Sequence, residues 1–274
     1  MRELLVVAGK EFRDGLRNRW VLSISLTFAA LAVGLAWFGA AASGSPGLSP
    51  VSTTIASLAS LAVLLVPLIA LMLAYDSIVG EEEQGTLLLL LSYPLGRTEL
   101  IIGKFLGHGA IMALSTGLGF GSAGLVIAVL TGQAAAMAAP FAVFMLSATL
   151  LAWVFLALAY LISVLVREKA RAAGLALLVW FLFVLAYDLV LLGILVGSEG
   201  RLDDGLFRSL LLLNPTDVFR LVNLTSFEVV AAGSGLLSVF SEAAYPVPLL
   251  LGILVVWIVL PLGAAAGLFA RRRA

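Results

Sequence analysis

Residues 76–104 read DSIVGEEEQGTLLLLLSYPLGRTELIIGK and form a strongly charged interruption between two long apolar runs. Three consecutive glutamates (Glu81–Glu83) stand near its start, with a glycine on either side of the cluster. Acidic side chains in a first helical turn favour the positive end of the helix dipole, and a proline such as Pro94 ends a helix. We therefore predict one short helix over residues 81–92, which serves as a docking element at the membrane face.

The composition indicates that lipid surrounds most of the remaining chain. Of 274 residues, 62% are hydrophobic and 12% are charged, and the mean hydropathy is +1.15. A soluble domain carries about 25% charged residues, roughly twice as many. The net charge of zero argues against a nucleic-acid-binding surface. The absence of cysteine excludes a disulfide framework, a zinc–thiolate site and a cysteine nucleophile.

Six apolar runs are long enough to cross the membrane, because about 20 helical residues cover about 30 Å of hydrocarbon. We predict transmembrane spans over residues 20–42, 55–75, 101–130, 140–166, 172–196 and 247–269. The predicted fold is an all-α integral membrane protein with a single domain over residues 1–274.

The residues before the first span, 1–19, have apolar side chains at helical spacing. Leu5, Ala8, Phe12 and Leu16 recur on one face, with charged residues on the others. This pattern predicts an amphipathic helix along the membrane surface. The alternative is a solvated basic leader.

Basic residues set the predicted orientation. With a cytoplasmic N-terminus, thirteen lysines and arginines lie inside, and only Arg201, Arg208 and Arg220 lie outside. Both termini are therefore predicted to be cytoplasmic. Residues 76–100 become an inner loop, and residues 197–246 become a long outer loop.

The outer loop 197–246 contains two helical patterns too short to span the membrane. The first covers residues 206–213. The second follows Asn214-Pro215, where Val218, Leu221 and Val222 share one face. We predict one or two interfacial helices that rest on the outer leaflet.

The third span is rich in glycine and contains two pairs at four-residue spacing. These pairs are Gly103/Gly107 and Gly117/Gly121. Since small residues at this spacing let helices approach closely, we predict close helix packing at both pairs.

Two ionisable residues lie inside predicted spans. His108, near the cytoplasmic end of the third span, is interpreted as a hydrogen-bonded packing residue or a snorkelling end group rather than a catalyst. Asp188 lies in the outer half of the fifth span. It either faces a wet cavity or partner, or it lies near the interface within reach of Arg201 or Arg220.

No residues of the chain predict a catalytic, cofactor or metal site. The nucleotide-binding pattern G-x-x-x-x-G-K-[ST] is absent, so any ATP must be bound by another polypeptide. Cu(I) requires several soft ligands, whereas Met72, Met112, Met137 and Met145 are scattered over different segments. We interpret these methionines as core filler.

Residues 80–104 resemble the ABC-2 class of ABC-transporter membrane subunits. Those proteins carry an acidic cluster, Gly-Thr, a leucine-rich segment, a proline, an arginine, and Gly-Lys opening the third span. The matching residues here are Glu81-Glu82-Glu83, Gly85-Thr86, Leu87–Leu91, Pro94, Arg97 and Gly103-Lys104. Many members have a basic residue where this chain has Glu82. The six-span layout, amphipathic leader and large last outer loop match as well, so the resemblance covers the whole chain.

The resemblance implies a homodimeric permease in the bacterial inner membrane, with two cytoplasmic ATPase subunits and a periplasmic partner protein. The residues implied in ATPase coupling are Glu81, Glu82, Glu83, Gly85, Thr86 and Arg97. More narrowly, residues 214–220 and the chain length are similar to permeases that help to mature nitrous oxide reductase with copper. That similarity implies periplasmic partner contact through Asn214, Pro215, Asp217 and Arg220.

Several functions stay open at this point. A small solute, such as a sulfur or copper species, crosses between two copies, or motion alone passes to the periplasmic partner. An ABC-2 exporter permease for another small solute or a lipid is the alternative. An intramembrane enzyme would have to use His108 and Asp188, which lie toward opposite membrane faces. A structural scaffold would have no ATPase contact.

Overall fold

The secondary structure is helical throughout the described part of the chain. The computed structural model describes residues 2–17, 20–42, 51–92, 95–132, 134–198, 203–226 and 245–272. Its α-helices are α1 (Arg2–Arg17), α2 (Trp20–Ala42), α3 (Val51–Ala74), α4 (Val79–Glu83), α5 (Thr86–Leu91), α6 (Arg97–Thr131), α7 (Ala134–Leu165), α8 (Lys169–Phe181), α9 (Tyr187–Gly197), α10 (Asp204–Leu212), α11 (Pro215–Ser226) and α12 (Val247–Arg271). A π-helical turn, Leu182–Ala186, joins α8 to α9, and we call the joined helix α8–α9. The all-α prediction is confirmed for these residues.

Five helical stretches are long and apolar enough to cross a membrane. Within the described ranges they are Ala56–Glu83, Arg97–Val126, Ala138–Leu165, Lys169–Gly197 and Val247–Arg271. They agree with five of the predicted spans. Helix α2 covers the whole of the predicted first span, but the apolar stretch described there, Ser23–Gly34, is shorter. The crossing of residues 20–42 therefore stays a prediction.

Two helices begin several residues before the predicted spans. Helix α6 begins at Arg97 rather than at residue 101, because the Glu99 carboxylate accepts a hydrogen bond from the Gly96 N–H at 3.0 Å and caps the helix start. Helix α7 begins at Ala134, so Pro140 lies inside the helix and not at its start. Pro140 removes one backbone hydrogen bond inside α7, and the helix continues beyond it.

The predicted single helix over residues 81–92 is also wrong, because the chain turns at Gly85. Gly85 has φ of 71°, in the left-handed region that glycine occupies without a steric cost. Its N–H donates to the Glu82 carbonyl at 3.1 Å and closes α4. The acidic cluster therefore lies on α4 and the leucine run lies on α5. Pro94 lies outside the described residues.

Helix α7 forms the centre of the molecule. It packs against α3, α6, α11 and α12, and Phe155 and Tyr160 on α7 are fully buried. Because aromatic side chains remove a large apolar area from contact with the surroundings, this helix anchors the apolar core.

The prediction that the helix after Asn214-Pro215 rests on the outer leaflet is wrong. Helix α11 is packed among α3, α7 and α12, and Val218, Phe219 and Val222 are fully buried. Such burial is possible because its polar side chains find hydrogen-bond partners inside the chain. Helix α10 keeps an exposed apolar residue, Leu206, and is the more interfacial of the two.

The first glycine pair lets α1 approach α6 closely. A Cβ atom at Gly103 would lie 3.0 Å from the Leu4 carbonyl oxygen, and one at Gly107 would lie 2.9 Å from the Ala8 carbonyl oxygen. The prediction of close packing is confirmed for this pair, and its partner is the leader helix. The helical part of the leader prediction is confirmed with it.

The second glycine pair has no close helix partner. A Cβ at Gly117 would meet no atom within 4 Å, and one at Gly121 would meet only the Met145 side chain at 3.6 Å. Both glycines line an apolar groove between α6 and α7. The predicted close approach at this pair is therefore wrong within the described chain.

We expect Gly107→Ala to lower stability, whereas Gly117→Ala should leave it nearly unchanged. The added methyl at Gly107 must push α1 away from α6, and overpacking of this kind costs about 1–3 kcal/mol. The thermal unfolding midpoint of the purified protein in detergent measures both effects. Equal midpoints for the two variants would contradict the α1–α6 contact.

Candidate functional site

The acidic cluster on α4 is directed into the protein, and its first glutamate takes part in a buried ion-pair triad. The Lys104 Nζ atom on α6 lies 3.2 Å from Glu81 Oε1 and 3.1 Å from Glu11 Oε1 on α1. The Lys104 side chain is only 5% exposed. Removal of one partner from such a buried pair costs about 3–5 kcal/mol, because the remaining charge is left uncompensated. Lys104 therefore joins α1, α4 and α6.

The second glutamate binds the end of the last helix. Glu82 Oε2 lies 2.6 Å from Arg272 Nη1, and Arg272 Nη2 donates to the Val166 carbonyl at 3.2 Å. Arg97 donates to the carbonyls of Phe269 and Arg272 at the end of α12, where the Arg272 N–H also donates to the Phe269 carbonyl at 3.3 Å. Its guanidinium also lies 5.7 Å from the centre of the Phe269 ring.

The third glutamate caps α8–α9. Glu83 Oε1 accepts a hydrogen bond from the Lys169 backbone N–H at 2.6 Å, at the first residue of that helix. The Lys169 Nζ atom lies 2.6 Å from Asp76 Oδ2 in the turn before α4. One carboxylate at the end of α4 and one in the turn before it therefore hold the start of α8–α9.

A buried serine fixes the start of α4. Ser163 Oγ on α7 accepts hydrogen bonds from the backbone N–H groups of Ile78 at 3.0 Å and Val79 at 3.1 Å. These groups begin a helix and have no partner within it, so the hydroxyl replaces a missing N-cap side chain. Together with the three glutamates, this contact attaches α4 to α1, α6, α7, α8 and α12.

Helix α5 has the opposite character, because none of its residues is buried. Leu88 and Leu89 are 66% and 65% exposed. The Thr86 hydroxyl donates to the Glu81 carboxylate and so connects the start of α5 to α4. A groove of about 220 Å³ lies between α5 and α12, with Leu91 and Phe269 among its lining residues. The segment thus presents apolar side chains outward and carboxylates inward.

Both ring nitrogens of His108 face groups of the same chain. Nδ1 lies 2.7 Å from the Tyr160 hydroxyl and Nε2 lies 3.7 Å from Glu11 Oε2. These contacts favour the interpretation of His108 as a hydrogen-bonded packing residue. They also extend the Lys104 triad into the bundle.

The structure supports one of the two interpretations of Asp188, in which its carboxylate contacts an arginine. Asp188 Oδ2 and Asp217 Oδ1 lie 2.6 Å and 2.8 Å from the same atom, Arg220 Nη1. Asp217 is buried, and burial raises its pKa, with the nearby charge of Asp188 adding to the effect and Arg220 opposing it. Arg201, the other candidate partner of Asp188, lies outside the described residues.

The predicted periplasmic contact residues mostly lie inside the protein. Asn214, Pro215 and Asp217 are buried, while the Arg220 side chain is 34% exposed. Asn214 Nδ2 donates to the Phe183 carbonyl and to Asp217 Oδ2, each at 3.0 Å. A partner that contacts this segment in the present conformation would have to contact it through Arg220.

Sequence reasoning missed several residues of the network around α4. Glu11 was not singled out, Lys169 was counted only as a basic residue, and Ser163 is a single hydroxyl in an apolar run. The long distance between partners in the sequence explains this, since no local spacing relates Glu82 to Arg272. Among the described residues, no three His, Cys, Asp or Glu side chains group as metal ligands would.

Comparison with known proteins extends over nearly the whole chain. A family model described as "ABC-2 family transporter protein" matches residues 5–274. A Stutzerimonas stutzeri protein named "Probable ABC transporter permease protein NosY" is 55% identical over 274 residues, 99% of each chain. A Pseudomonas aeruginosa protein of the same name is 56% identical over 268 residues, 97% of each chain. The match runs from the leader helix through α4 and α5 to the last helix, and the chain therefore belongs to the ABC-2 family of transporter proteins as a membrane permease.

Proposed function

We propose that this permease receives motion from a separate cytoplasmic ATPase through α5. Family membership implies an ATPase partner subunit. The observation that carries the proposal is the exposure of Leu88 and Leu89 on a segment whose carboxylates are all engaged inside the chain. Exposed apolar side chains next to a groove are typical of a protein–protein contact.

The contacts of α4 suggest how such motion spreads. Thr86 joins α5 to Glu81, so displacement of α5 moves α4. From α4, the triad at Lys104 leads to α1 and α6, and the Arg272 pair leads to α12. The predicted coupling residues Glu81, Glu82 and Glu83 would thus transmit motion, while the ATPase would contact α5.

The proposed assembly follows the family resemblance. It contains two copies of this chain, two ATPase subunits that bind ATP, and a periplasmic accessory protein, in the bacterial inner membrane. Each copy would cross the membrane six times, with α2 as the first span and both termini in the cytoplasm. The basic-residue distribution supports this orientation.

We further propose that the transporter serves copper-site maturation of nitrous oxide reductase. The resemblance of residues 214–220 and of the chain length supports this, as do two relatives that carry the name NosY. The alternative is export of another small solute or a lipid. In either case the chain itself binds no ATP, because it contains no nucleotide loop.

Topology can be tested with reporter fusions. We expect a reporter fused after Ala274 to be active only in the cytoplasm, and one inserted near Asp204 to be active only outside. An active periplasmic reporter at the C-terminus would contradict the six-span arrangement.

The docking role of α5 predicts a selective defect. Leu88→Asn with Leu89→Asn should strongly reduce co-purification of the ATPase, because two exposed apolar contacts are removed while every contact of α4 is kept. The fraction of ATPase retained on the tagged permease in detergent measures this effect.

Leu213→Asn is the matched control for the docking test. Leu213 is 58% exposed and follows α10 on the predicted outer side, so its substitution should leave ATPase binding unchanged. Unchanged binding in the α5 variant would disprove docking through these leucines. Substituting all three glutamates is a less specific test, since it breaks contacts to several helices at once.

Copper ions should not pass through this chain, because Cu(I) needs several soft ligands along its path. We expect Met72→Leu, Met112→Leu, Met137→Leu and Met145→Leu together to leave copper loading of nitrous oxide reductase near normal. His108→Gln, measured separately, should also permit loading, since His108 contacts Tyr160 and Glu11. Loss of loading in a correctly inserted variant with intact ATPase activity would mean that copper passes through the permease.

A further inference from the structure

Helix α8–α9 is attached to α4 at its cytoplasmic start. Its first residue, Lys169, donates its backbone N–H to Glu83 and pairs its ammonium group with Asp76, both at 2.6 Å. Glu83 ends α4, and Asp76 lies in the turn before it. Any displacement of α4 therefore acts on the start of this helix through two charged contacts.

The π-helical turn in the same helix provides a second attachment point. A π-helical turn departs from the regular i→i−4 pattern and so lets a carbonyl accept hydrogen bonds from elsewhere. The Phe183 carbonyl accepts a hydrogen bond from Asn214 Nδ2 at 3.0 Å, and Thr216 Oγ1 lies 3.0 Å from the same oxygen as a second donor. Asn214 Oδ1 in turn accepts from the Thr216 N–H and caps α11.

Two further contacts follow within the next turn of the helix. Asp188 pairs with Arg220 of α11 at 2.6 Å, and the Tyr187 hydroxyl donates to the Leu210 carbonyl of α10 at 2.6 Å. The outer helices α10 and α11 are thus both attached to one short region of α8–α9.

Between its attachment points, the sides of α8–α9 are sparsely covered. Only 17% of the residues in its most apolar stretch are buried, compared with 56% in the corresponding stretch of α7. One side-chain hydrogen bond leads from Trp180 to the Leu64 carbonyl on α3. Of the five long apolar helices, α8–α9 is thus the one least covered by the rest of the described chain, and its ring contacts, Phe183 with Phe155 at 6.1 Å and with Trp257 at 5.6 Å, lie at the π-helical turn.

The other helices that meet α4 are more firmly held. Helix α3 leads directly into α4, α6 reaches it through Lys104, and α12 reaches it through Arg272, but all three pack extensively along the central helix α7. Displacement of any of them would require repacking of the core, because close-packed interiors do not deform continuously.

We propose that α8–α9 carries displacement of α4 across the membrane to α10 and α11, with Asn214 and Thr216 as the positioning residues that attach the outer helices to it. This inference rests on the proposed coupling to an ATPase. It identifies the outer helices as the part of the chain whose position responds to ATP.

Thiol reactivity can test the proposal in the complex of permease and ATPase in nanodiscs. Because the chain contains no cysteine, Gln84→Cys and Ser209→Cys, made separately, introduce single thiols at exposed inner and outer positions. The measured quantity is the rate of modification by a charged thiol reagent, with and without ATP. We expect ATP to change the rate at both positions.

The double substitution Asn214→Leu with Thr216→Val should separate the two responses. The ATP-dependent change at position 84 should remain, whereas the change at position 209 should become smaller, because the Asp188–Arg220 and Tyr187–Leu210 contacts are kept. Thr225→Val on the same helix is the control and should keep both responses. An unaltered response at position 209 in the double variant would overturn the proposal.

Two other outcomes have defined meanings. If neither thiol responds to ATP without the double substitution, although the complex hydrolyses ATP, the proposed coupling itself fails and the inference fails with it. If the double variant does not insert, Thr216→Val alone is compared with Thr225→Val. A smaller response at position 209 is then expected, and equal responses would overturn the proposal.

Discussion

The structure depends on one buried cation. Lys104 lies between Glu11 and Glu81 and its side chain is almost fully buried. Loss of any one of the three would leave a buried charge uncompensated. This requirement fixes the leader helix and α4 relative to α6 before any apolar packing is considered. The glycines at positions 103 and 107 then bring α1 close enough to α6 for the triad to form. Charge and close packing thus specify the same arrangement.

Helices α4 and α5 present two kinds of surface. On α4, carboxylates face the protein and are satisfied by partners from several helices. On α5, Leu88 and Leu89 face outward and are exposed within the described chain. A partner that pressed on α5 would therefore also act, through α4, on the helices that hold its carboxylates. Under the proposed function, this division would place an apolar docking contact and a polar means of transmission in one short segment.

Local pattern predicted the helices well, since long apolar runs leave few alternatives to a membrane-crossing helix. The pattern was wrong where a single residue changes the chain direction, as at Gly85. Sequence alone does not distinguish a glycine with a positive φ from a glycine within a helix. It identified Gly103/Gly107 and Gly117/Gly121 equally, although only the first pair has a helix against it. Contacts between distant segments, such as Glu82 with Arg272 or Phe183 with Asn214, were not predictable because no spacing relates them.

The left-handed turn at Gly85 has a consequence for how such permeases diversify. Because the turn separates the direction of α5 from that of α4, the exposed residues Leu88 and Leu89 can change without altering the carboxylates that attach α4 to the bundle. A new ATPase surface could then be matched by substitutions at these exposed positions. The permease could then acquire a different ATPase subunit, while the packing of its membrane helices stays the same.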